Sequence, residues 1–190
     1  YYEGPCFGSV YSRNADDWDR LVQYWTSYDI GKVQNRVDLL KIVLFDFWLT
    51  NEDRFHANHN LLLLNRKGNF TVQVIDHESI FNASNSNHNV IYFDSELMLP
   101  EMYLLQSPSF LGVIGKPRDL RSQLDKLGEK FYTFTDLCRQ KAPDIIAEMP
   151  KDWQADRKKL ERYIEEVVTD KNWLDQVYDH FREEVKKAIY

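Results

Sequence analysis

Three oxygen-bearing side chains stand out by type and spacing. Asp53 lies in a polar loop after the apolar run Leu39 to Leu49, Asn58 follows five residues later, and Asp76 comes eighteen residues after that, behind Val72-Gln73-Val74-Ile75. Two carboxylates and a carboxamide are hard ligands that suit Mg²⁺ bridging substrate phosphates. Phosphoryl transfer needs a carboxylate to orient and deprotonate the attacking hydroxyl, and metal ions held by an Asp and an Asn to neutralise the phosphates. Asp53 beside Arg54 would by itself be an ordinary ion pair at a helix end. The order of acid, Asn, hairpin and second acid is what directs it to this chemistry.

Protein kinases place the catalytic-loop Asn five residues after the base Asp, and a metal-binding Asp after the following hairpin. Asn51-Glu52-Asp53-Arg54 with Asn58, then Ile75-Asp76-His77 and Phe81, resemble the Asn-x-Asp-Arg-His-x-x-Asn and Ile-Asp-His-x-x-x-Phe signatures of HipA-like kinases. Phe7-Gly8-Ser9 is similar to a motif such kinases carry between their lobes, and Met149-Pro150-Lys151-Asp152-Trp153 to the proline-tryptophan junction before their last helices. The resemblance implies the C-terminal lobe of a protein-kinase-like fold. It implies Asp53 as general base with Arg54 beside it, Asn58 and Asp76 as Mg²⁺ ligands, ATP as donor, and a protein Ser/Thr hydroxyl as acceptor. Asn51, His56, His77 and Asp46 would support the site. One departure is that Phe55 stands where the family has His, with His56 next to it.

Such kinases grip the phosphates with a glycine-rich loop and a strand-borne Lys. The glycines between Gly4 and Tyr11 are misspaced for that loop, no suitable strand follows, and Lys32 is a poor substitute. The chain has no initiator Met, so the expectation is a piece of a longer product whose N-lobe lies elsewhere, inactive alone. A non-catalytic or split-kinase module, completed by an N-lobe-supplying chain, is one alternative. A lipid kinase is the other, since type II phosphatidylinositol 4-kinases carry a similar Asn-x-Asp-Arg loop. No basic interfacial helix or cysteine-rich palmitoylation loop speaks for it.

The elements that must position these residues follow from periodicity. Asp16-Asp17 offers a cap to a helix with Trp18, Leu21, Val22 and Trp25 on one face, and a second, nearly all-apolar helix spans about Gln34 to Thr50. Leu61 to Leu64 and Phe70 to Ile75 form a hairpin, and residues 82–89 an exposed loop. The chain beyond is mainly helical. It closes on an antiparallel pair joined near Thr169-Asp170, one helix with Trp153, Leu160, Tyr163, Ile164 and Val167, the other with Trp173, Val177 and Phe181. The fold class is mostly α with a small β-hairpin. A single domain of 190 residues divides into an interlobe segment (1–15), a catalytic core (16–150) and the C-terminal helix pair (151–190).

Composition sets the outer limits. At 190 residues and 43% apolar, one sizeable core is expected. The formal charge of -6 gives no general nucleic-acid surface but leaves room for a local basic patch. Lys116-Pro117-Arg118 and Arg157-Lys158-Lys159 read as solvated charge. The two cysteines, Cys6 and Cys138, form no ligand-like pair, and His56, His59 and His77 fit no zinc spacing. No apolar run approaches the ~20 residues of a membrane span, and no signal peptide leads the chain, so a cytoplasmic protein is expected. Asp46 inside the apolar helix is costly to bury unpaired. A hydrogen bond in the core, or a brace to the catalytic loop, would satisfy it.

Overall fold

A computed structural model of the chain describes residues 14–34, 36–51, 53–54, 58–77, 104–151 and 156–190. The Phe7-Gly8-Ser9 motif, Cys6, Phe55, His56, Phe81, the 82–89 segment, Asp152 and Trp153 lie outside the described residues.

The architecture is mostly helical around a small antiparallel sheet. Strands β1 (Ala15–Asp17), β2 (Leu61–Arg66) and β3 (Asn69–Val74) lie in the order β1-β2-β3. The hairpin forms because Leu61 and Leu63 alternate into the core while Lys67 and Gly68 take φ of 55° and 85°. Two successive positive φ values are what a two-residue hairpin turn requires, and Asn65 Oδ1 accepts from the Gly68 amide at 3.0 Å. Two additions enlarge the expected hairpin. β1 pairs along the free side of β2 with Ala15 opposite Leu64. The chain after α2 (Ser27–Gly31) adds a bridge to β3, with the Gln34 amide donating to the Phe70 carbonyl at 2.9 Å.

The first expected helix is shorter than its apolar spacing suggested. Residues Ala15–Asp17 are drawn into the sheet, and Asp17 rather than Asp16 caps α1 (Trp18–Leu21), accepting from the Arg20 amide at 3.0 Å. A 3-10 turn follows over Val22–Tyr24.

Helix α3 (Leu39–Trp48), entered through a 3-10 turn at Arg36–Asp38, is the central element. Only Lys41 and Phe45 of its ten residues are not buried. Behind it stand α4 (Pro108–Ile114), the 29-residue α5 (Leu120–Glu148), α6 (Arg157–Tyr163) and α7 (Lys171–Ile189). Helix α5 earns its place through the stripe Leu120, Leu124, Leu127 and Phe131, spaced at helical intervals. α6 runs into a π turn, Ile164–Val168, before Asp170 caps α7 by accepting from the Trp173 amide at 2.9 Å.

Aromatic contacts lock α3 to the helices behind it. Phe47 meets Phe181 of α7 edge-on at 6.4 Å, and Trp48 meets Phe131 of α5 edge-on at 5.7 Å. Trp48 Nε1 donates to the Val168 carbonyl at 2.7 Å, while Trp173 Nε1 donates to the Trp48 carbonyl at 3.3 Å. The C-terminal end of α3 is therefore held rigidly, and the loop carrying Asp53 grows from it. No helix among the described residues is long and apolar enough to cross a membrane.

Candidate functional site

The site is built where α3 ends and the hairpin begins. Thr50 takes φ of 48°, a left-handed turn that redirects the chain out of α3. The Asn51 amide then donates back to the Asp46 carbonyl at 2.9 Å, and Asn51 Nδ2 donates to Asp46 Oδ1 at 2.9 Å. Arg54 Nη1 also donates to Asp46 Oδ1, with both side chains buried. Arg54 Nη2 reaches the Ile75 carbonyl at 2.8 Å and the Asp76 carbonyl at 3.4 Å. One buried cation thus ties the end of α3 to the end of β3.

The environment of this pair is demanding. Burial pushes the Asp46 carboxyl up to about 7, against the pull of the Arg54 guanidinium and the Asn51 amide. Among the described residues, Asp46 Oδ2 and Arg54 Nε have no hydrogen-bond partner. Buried charge in this state depends on its partner staying in place.

Asp53 is clamped by two carboxamides. Asn58 Nδ2 donates to its Oδ1 at 3.0 Å, and Asn60 Nδ2 donates to its Oδ2 at 3.1 Å. Both amides also reach the Asp53 carbonyl at 3.1 Å, and the Asp53 amide donates to Asn51 Oδ1 at 3.3 Å. Asn60 takes φ of 48°, a conformation Asn tolerates better than most residues, and its carbonyl accepts from the Ile75 amide at 3.0 Å. The acid is half-buried, so it keeps access to solvent while its rotamer is held.

Of the expected set, Asp53 and Asn58 are in direct contact. Asp76 is joined to them through Arg54, which grips its backbone; its own φ is 54°, and its exposed carboxylate has no partner among the described residues. His77 follows, with its ring edge-on to Phe45 of α3 at 5.4 Å. Partial burial and then the Arg54 charge push His77 down, while Asp76 pulls it back up.

His59 has a different place from His77. It is buried, with Nδ1 on the Asp19 carboxylate and Nε2 2.6 Å from Ser107 Oγ. Ser107 caps α4, its Oγ accepting from the Phe110 amide at 3.2 Å. His59 thereby ties α1 to the cap of α4.

Asn60 is the site residue that motif spacing does not single out. Its one signal in the sequence is a second Asn, two residues after Asn58 and just ahead of an apolar strand.

As a test for a divalent cation, the donor chemistry is the relevant observation. Asn58 turns its Nδ2 toward Asp53, which leaves its Oδ1 facing away, and Asp76 offers an unpaired carboxylate. Such oxygens fit Mg²⁺. Among the described residues no group of three or more His, Cys, Asp or Glu side chains could hold a metal ion. Comparison of the chain with protein-family models, with curated proteins and with solved structures found no match.

Proposed function

We propose that this chain carries the catalytic loop and metal-binding end of an ATP- and Mg²⁺-dependent phosphotransferase of HipA-like type, acting in the complete protein on a protein Ser or Thr hydroxyl. The observation that supports this reading is the clamp on Asp53. A half-buried carboxylate held by Asn58 and Asn60 is ready to accept a proton from a hydroxyl placed against it. In this reading Asn58 Oδ1 and the Asp76 carboxylate hold Mg²⁺, which neutralises charge on the transferred phosphate. Arg54 and Asp46 touch no substrate; they fix the distance between the loop and the end of β3.

The test is γ-phosphate transfer by the complete protein in Mg²⁺, with protein substrates and lipid vesicles offered side by side. Asp53→Ala is expected to lose roughly 10²- to 10⁴-fold in rate, the usual worth of a general base. Asp76→Ala is expected to lose activity with a raised Mg²⁺ requirement. Equal transfer by wild type and both variants would overturn the assignment, and transfer to lipid alone would replace the protein acceptor.

A further inference from the structure

A cleft of about 380 Å³ opens between α3 and α5, walled by Leu44, Phe45, Trp48, Leu127, Phe131 and Phe134. It continues at one end into a second hollow of about 390 Å³ that gathers Arg36, Lys41, Lys126 and Lys130. At the other end it passes Lys130 to reach Phe134 and Leu137, which are 51% and 49% exposed. Of the four cations only Lys41 is paired, with Asp38 at 2.6 Å. Among the described residues Arg36, Lys126 and Lys130 have no ion pair or hydrogen bond. Arg36 and Lys126 therefore put unpaired positive charge at one end of the apolar groove and Lys130 adds a third along its length, against the acids Asp38 and Glu129 on the same lining, on a chain whose formal net charge is -6.

We propose that this groove docks an acidic, amphipathic segment of a partner protein, a role that goes beyond the phosphotransferase reading and does not depend on it. Charge complementarity selects the acid, because a cationic rim steers and orients an anionic partner. The groove follows α5 from Gln123 to Leu137, about 21 Å at 1.5 Å per residue, the length of roughly four helical turns. Its open side argues against a buried acyl chain. Phe134 and Leu137 stand half in solvent, where a hydrocarbon tail would stay wet, whereas an amphipathic helix covers them with one face and turns its polar face outward.

The experiment is a fluorescence-anisotropy titration of the 190-residue chain with a labelled helical peptide bearing leucines at i, i+3 and i+7 and a run of glutamates at one end. Wild type is expected to bind it in a salt-sensitive manner. Lys126→Glu/Lys130→Glu is expected to weaken binding at least tenfold and Phe134→Asp to do likewise, whereas Lys158→Glu on α6 leaves it unchanged. The doubly reversed variant should instead bind a peptide whose glutamates are replaced by lysines, a gain that an unfolded variant cannot give. The proposal is overturned if the lysine peptide binds wild type equally well, or if the reversed variant retains the acidic peptide. It is also overturned if only anionic lipid vesicles bind, or if sedimentation shows the groove closed by a second copy of the chain.

Discussion

The Arg54 guanidinium donates to the Asp46 carboxylate, eight residues earlier on α3, with both groups shut away from solvent. Its second amino group holds the backbone at the end of β3. The pair is therefore the mechanical link between the acid-bearing loop and the segment that carries Asp76.

Removing one partner should be far worse than removing both. Above about pH 7, where Asp46 is ionised, Asp46→Ala leaves Arg54 buried without a counter-charge and is expected to cost about 3–5 kcal/mol. Asp46→Leu/Arg54→Met is expected to cost less than the sum of the two single changes, since the pair is coupled. Urea unfolding of the four proteins gives the cycle; additive costs would mean that the two side chains act independently.

Asp46 also predicts a pH dependence. Its carboxyl is pushed up to about 7 by burial, whereas the ordinary value is 3.8. Between about pH 4 and 7 the folded protein then holds a proton that the unfolded chain has lost. Stability should fall as pH rises through that window, by up to about 1.4 kcal/mol per unit, and flatten above it. Asp46→Asn should lose this part of the slope in unfolding measurements across pH; an unchanged slope would assign it to other groups.

Asn60 combines a left-handed backbone with its hold on Asp53. Asn60→Ala loses both, at about 1 kcal/mol for the conformation and about 1 for the hydrogen bonds. Asn60→Gly tolerates the backbone and loses only the second contribution. Thermal unfolding should therefore rank wild type above the Gly variant, and the Gly variant above the Ala variant. An Ala variant as stable as the Gly variant would show that the φ of Asn60 carries no strain.

Gly128 is a packing requirement at the crossing of α5 and α7. A Cβ there would lie 2.5 Å from Tyr178 Oη and 2.6 Å from its Cζ. That ring is pinned by a 2.5 Å hydrogen bond to the Leu124 carbonyl and stacks against Phe131 and Phe181 at 6.2 and 6.1 Å. Gly128→Ala is expected to destabilise by about 1–3 kcal/mol through overpacking, although Ala is intrinsically the better helix former by about 1 kcal/mol. In a Tyr178→Leu background the sign should reverse, which chemical denaturation would detect.

Much of the fold was legible because it is encoded locally. The apolar run Leu61 to Leu64, followed by the turn-forming Asn65 to Asn69 and a second strand-like run, specifies a hairpin, and the nearly all-apolar sequence of α3 specifies a buried helix. β1 was not legible. Ala15–Asp17 has no apolar alternation and becomes a strand only because β2 offers it a free edge. The first helix was read too long at its other end, where α1 stops at Leu21 and a 3-10 turn over Val22–Tyr24 takes its place.

The candidate site divides along the same line. Residue spacing alone determined that Asp53 and Asn58 share one loop and that Asp76 follows a hairpin, since a short loop and a two-residue turn leave the backbone few ways to run. Tertiary structure decided what holds them. Arg54 finds Asp46 because a helix end folds back on its own loop, and Asn60 finds Asp53 because its backbone turns left-handed as it enters β2. The cationic groove arises where the Arg36–Asp38 turn and the start of α3 face residues 123–137 of α5. Net charge counts residues without regard to place, whereas recognition depends on which of them share a surface, and only the tertiary placement of α3 beside α5 supplies that.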